Sequence, residues 1–88
     1  MKDKELETSL KALANRRRLS IIRFIKNKKE VSVGNVASEI ELSFKSTSRH
    51  LSVLFSAGIL EKEQRSLQVF YSLASDISEP FRKIITTL

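Results

Sequence analysis

Lys45, Arg49, Ser52 and Ser56 follow one another at steps of four, three and four residues, the spacing that gathers side chains on one face of an α-helix. At about 100° per residue, Thr47, Leu51, Leu54 and Phe55 fall on the opposite, apolar side. A face of small hydroxyls and two long cations donates hydrogen bonds to acceptor-rich or anionic surfaces. Arg and Lys form paired bonds with a guanine edge, and Ser serves phosphates or bases without steric bulk, so the face suits docking in the major groove of DNA. A solvated helix surface has the same composition, and the flanking elements must decide between the two. Catalysis has little to work with. His50 is the sole imidazole, there is no Cys, and no acid and base stand at recognisable spacing. At the flank of the apolar stripe, His50 reads as a packed or phosphate-bonded group. No cofactor and no metal is implied.

Two further groups of cations bear on the same chemistry. Sixteen Lys and Arg exceed ten Asp and Glu, a formal charge of +6 that favours a polyanionic partner without selecting one. Arg16, Arg17 and Arg18 stand where a helix should begin, at the dipole end that prefers acids. Either Arg16 or Arg17 binds phosphate, or the run pairs with Glu5 and Glu7. Lys62 and Arg65 lie near the tip of a predicted hairpin, within reach of a minor groove or its phosphates.

The elements that must position these groups are mostly helical. Eighty-eight residues make one domain, 1–88, with a thin core. Leu6, Leu10 and Leu13 predict an amphipathic helix from Lys2 to Ala14, and Asn15 caps a second, running to Asn27, with Leu19, Ile22 and Ile25 on one face. Ser32 caps a short third helix whose Val33, Val36, Ala37 and Ile40 face inward. Glu41-Leu42 makes a tight connection, Ser43 caps the helix that carries Lys45 and Arg49, and Gly58 ends it in a left-handed conformation. Two short helices joined by about three residues form a helix-turn-helix. A strand over Leu60 to Glu63 and a period-two strand around Leu67, Val69, Tyr71 and Leu73 then predict a hairpin. Phe81, Ile84, Ile85 and Leu88 mark a last helix, with Pro80 tolerated in its first turn. The expected fold is mainly α with a small β-hairpin: a winged helix-turn-helix of about five helices and a two-stranded wing. With no apolar run long enough to span a bilayer and no signal-type core, the chain is expected to be cytoplasmic, with no membrane partner.

Three segments resemble the ArsR/SmtB-type winged-helix repressors. LKALANRRRLSIIRFI is similar to that family's opening L-x-A-L-A-x-x-x-R-L-x-I-L pattern, STSRHLSVLFSAGIL to its recognition-helix signature, and VFYSLA to the end of its wing. They span Leu10 to Ala74 in the expected order. The resemblance implies base or groove contact by Lys45, Ser46 and Arg49, with Ser48 and His50 near the DNA backbone, Ser52 on the same outward face, and a structural role for Arg18. It also implies a homodimer formed through the first and last helices (Leu6, Leu10, Leu13, Phe81, Ile84, Ile85 and Leu88), presenting two recognition helices to the half-sites of a palindromic operator. The alternative is that those helices only complete a monomer core. Family members carry Gly near the wing tip, where Ser66 stands here, which disfavours a turn with positive φ. Metal-sensing members carry C-x-C at the start of the third helix, where Ser32 and Gly34 stand, and, at a terminal-helix site, D-x-H with a later His, where Asp76 is followed by Ser78 and by no His. A response to metal at those sites is therefore not expected, and the effector is not written in the residues. A MarR-like or phage winged helix, or one that binds protein or RNA, is the competing assignment.

Overall fold

The computed structural model describes residues 2–88, in the order α1 (Asp3–Leu13), α2 (Arg16–Ile25), β1 (Val31–Ser32), α3 (Val33–Ile40), α4 (Phe44–Ser56), β2 (Leu60–Arg65), β3 (Gln68–Leu73) and α5 (Phe81–Thr87). Each predicted cap forms. Asn15 Oδ1 accepts from the Arg18 amide at 3.0 Å, Ser32 Oγ from Asn35 at 3.1 Å and Ser43 Oγ from Ser46 at 3.1 Å. Each bond satisfies a donor that the first helical turn leaves without an intrahelical partner. Ser32 and Asn35 close a reciprocal capping box, which pins the short α3 in place.

Core positions follow the apolar periodicity. Ile21, Ile22 and Ile25 of α2 meet Val36 of α3 and Leu51 and Leu54 of α4, and Ile59, Leu60 and Tyr71 close the cluster from the sheet side. Leu13, Phe81 and Ile85 are buried in this same cluster, within one protomer. Gly58 takes φ 78° as expected, and the Ile59 amide then bonds back to the Leu54 carbonyl at 3.0 Å. Glu41 supplies the other left-handed helix end, with φ 54°, where the sequence offers no Gly.

Five expectations are corrected. The sheet has three strands, ordered β1-β3-β2: Val31 and Ser32 pair with Tyr71 and Phe70, tying the start of α3 to the wing. β2 runs on to Arg65, beyond the expected Glu63, because Gln64 and Arg65 keep register with Val69 and Gln68. Leu67 consequently leaves the strand for the two-residue turn, where it is 97% exposed. Phe55, expected inward, lies on the surface, since Leu51 and Leu54 already fill the α4 stripe. Ser66 does take positive φ, 58°, so the turn forms without Gly. Among the described residues, no helix is long and apolar enough to cross a membrane.

Candidate nucleic-acid interface

Helix α4 divides as its spacing requires. Thr47, Leu51 and Leu54 are buried, Lys45, Arg49, Ser52 and Ser56 are exposed, and Ser46 and Ser48 are half-buried at the margins. The two long edges of this face have different neighbours. Arg49, Ser52 and Ser56 border α1, along a depression shared with Thr8 and Lys11. Phe44 and Ser48 border the wing, across a groove from Leu67, Gln68 and Val69. Lys45 follows Phe44 in the opening turn of the helix. Phe44, at 63% exposure, is a large aromatic outside the core cluster, and its position in a helical stripe does not reveal this.

The arginine run at the start of α2 serves the ends of two other helices. Arg18 Nε donates to the Ala12 carbonyl at 2.6 Å and its Nη2 to Lys11 at 3.1 Å, while Arg17 Nη1 donates to the Ile40 carbonyl at 3.0 Å. These carbonyls belong to the last turns of α1 and α3, where unpaired acceptors and the negative dipole end favour cations. The unfavourable placement at one helix is thereby offset at two others. Among the described residues, no ion pair joins the run to Glu5 or Glu7, and Glu7 pairs with Lys11 instead, at 3.8 Å. Arg16 is exposed.

Arg18 also reaches His50, with Nη1 3.1 Å from Nδ1. A guanidinium can only donate, so Nδ1 accepts and the ring proton sits on Nε2. Partial burial, followed by the charges of Arg18, Arg17 and Arg49, holds the His50 pKa below its ordinary 6.5 and keeps the ring neutral. Sequence reasoning missed this link because it joins residues 32 positions apart with no local signature.

On the wing, both expected cations lie over the chain's own aromatic rings. Lys62 Nζ is 4.4 Å from the centre of the Phe55 ring, and the Arg65 guanidinium is 4.0 Å from that of Phe70 while also pairing with Glu30. The exposed Phe55 that the helical wheel misplaced thus has a partner. Leu10 and Ile84 are 49% and 39% exposed, Leu6 and Leu88 half-buried, and these four are the expected dimer residues that retain surface.

No model of a known protein family matches the chain. Over 66 residues it is 41% identical to the transcriptional activator HlyU of Vibrio cholerae serotype O1, a match that covers 75% of this chain and 60% of that protein. The solved structure of HlyU from Vibrio cholerae N16961 has the same fold, with a TM-score of 0.81 and 32% identity over 99% of this chain and 92% of that one. The homodimeric winged helix-turn-helix DNA-binding domain of Mb0332 from Mycobacterium bovis, a possible ArsR-family regulator, gives 0.81 and 25% identity over 96% of this chain and 74% of that one. The transcriptional repressor BigR from Xylella fastidiosa gives 0.77 and 27% identity over 97% and 83%. Identity at this level across a fold shared from end to end places the chain by descent, and it belongs to the ArsR/SmtB-type family of winged helix-turn-helix transcriptional regulators.

Proposed function

We propose that the chain is a homodimeric regulator that binds double-stranded DNA sequence-specifically at a palindromic operator in the cytoplasm, and is not an enzyme. The observation that carries this reading is the exposed face of α4. It places Lys45 and Arg49 outward over buried Thr47, Leu51 and Leu54, in a chain of net charge +6. Lys45, Ser46 and Arg49 contact base edges in the major groove, Ser48, Ser52 and His50 lie against the flanking backbone, and Arg16 with the free edge of Arg17 meets phosphates. Lys62 and Arg65 contribute positive potential beside the minor groove from their places on the aromatic rings. Occupying an operator excludes other proteins from it, and repression is the simplest consequence; among the relatives, HlyU is named an activator and BigR a repressor.

The regulator does not respond to metal at the usual family positions. Ser32 and Gly34 offer no thiolate, and Asp76 has Ser78 where an imidazole is required. Among the described residues, no three His, Cys, Asp or Glu side chains cluster as a metal site. Neither a chelator nor stoichiometric zinc should release bound DNA.

Selecting bound duplexes from a random pool and titrating them against salt tests the whole reading. Affinity should fall with salt at a slope of about −0.9 per neutralised phosphate. Arg49→Ala should cost about 1–3 kcal/mol on the selected operator and relax base preference at one position. A flat salt dependence would refute DNA binding, and equal weakening on every sequence would make Arg49 a phosphate contact.

A further inference from the structure

Phe44 is the first residue of α4, the helix whose opening turn is proposed to meet base edges. It is 63% exposed, lies outside the core cluster and borders a groove whose far wall is the wing residues Leu67, Gln68 and Val69. Lys45 follows it directly, and Ser48 stands one turn further on the same edge. An aromatic left this bare loses nothing to the fold when water covers it, and gains when an apolar group does. In a major groove the apolar group that base pairs present is the C5-methyl of thymine. Lys45, beside the ring, would hold the opening turn of α4 against the polyanion, and a helix that enters the major groove by its N-terminal turn brings that turn's side chains toward the base edges.

We propose that Phe44 is a specificity-determining residue that reads a thymine methyl group in each operator half-site. This rests on the DNA-binding reading above and adds to it a contact that involves no hydrogen bond. The Lys45, Ser46 and Arg49 contacts select hydrogen-bonding edges, whereas Phe44 separates thymine from cytosine and uracil by the methyl alone. Its exposed position leaves the core unchanged when the ring is removed.

The test uses the duplex recovered from the random pool, with each dT replaced in turn by dU, which lacks only the 5-methyl. For the wild-type protein, one position in the half-site should lose about fourfold in affinity, the worth of one buried methyl. Replacement in both half-sites should multiply the two losses. Phe44→Ala and Phe44→Gln should bind the dT and dU duplexes equally at that position, while melting at the wild-type temperature. If the variants keep the dU penalty, another residue reads the methyl and the proposal is overturned. Sequence-selective wild-type binding that is indifferent to every dU overturns it also, and leaves DNA recognition intact. Failure of the wild type to select any duplex removes the DNA-binding reading, and this proposal with it.

Discussion

The Arg18–His50 contact couples α4 to the end of α1 through one charged side chain. Arg18 fills the Ala12 and Lys11 carbonyls and keeps one N–H for His50 Nδ1, so protonating the ring would destroy the acceptor and set a second cation beside the first. The folded pKa of His50 is depressed below 6.5, first by desolvation and then by Arg18, Arg17 and Arg49. Below pH 6.5 the unfolded chain therefore binds more protons than the folded one, and stability falls as pH drops from that value toward the depressed one. Denaturant midpoints measured from pH 7.5 to 5.5 should decline in the wild type. In His50→Gln, which keeps an acceptor for Arg18, the slope should be shallower, and equal slopes would show that other groups govern the decline. The α4 face itself was legible in the sequence because Lys45, Arg49, Ser52 and Ser56 obey one rotation angle. The role of Arg17 was not, since its acceptor is a backbone carbonyl brought near only by folding; for Arg18 the resemblance implied a structural role but not the carbonyls and the imidazole it serves. Phe44 was hidden for a related reason: periodicity assigns an apolar residue to a stripe but does not say where the stripe runs out of partners.

At the scale of elements, helix starts were more legible than strand pairing. Ser, Asn and Ser caps act on amides three residues ahead and need no tertiary context, whereas β1 has two residues and pairs with a strand some forty positions later. The wing boundary slipped for the same reason, because Leu67 continues the period-two pattern that the register with β2 interrupts. The two glycines make the local backbone rule testable with opposite signs. Gly58 ends α4 at φ 78° with no atom within 4 Å of an added Cβ, so Gly58→Ala incurs only the left-handed backbone cost, about 1–2 kcal/mol. That lowers the melting temperature of a domain this size by at least about 4 °C. Gly34 is within α3, has no positive φ, and its added Cβ would meet only Ser32 Oγ at 4.0 Å. Gly34→Ala should raise stability by about 0.5 kcal/mol through the smaller entropy of the unfolded chain. Thermal melts of both variants check the pair, and a shift of the same sign in each would contradict this account.

The whole molecule is small enough that assembly and function are hard to separate. A chain of 88 residues buries a thin core, and the structure spends Leu13, Phe81 and Ile85 on it, so the monomer already uses part of the stripes expected to make a dimer. What remains on the first and last helices is Leu10 and Ile84, about half and two-fifths exposed, with Leu6 and Leu88 partly covered. A two-fold interface uses each exposed residue twice, so four large apolar side chains come from two positions. Because neither position belongs to the core cluster, changing them tests association without dismantling the fold. Leu10→Glu combined with Ile84→Glu should give a folded monomer by sedimentation velocity, with helical content and the neutral His50 ring retained. Loss of the second subunit also removes the intramolecular advantage of the second half-site, so operator affinity should drop by at least about a hundredfold, while binding to an isolated half-site stays as it was. A doubly charged variant that still sediments as a dimer would move the interface away from α1 and α5, and the exposed Val53 beside the α1–α4 depression would be the next position to change.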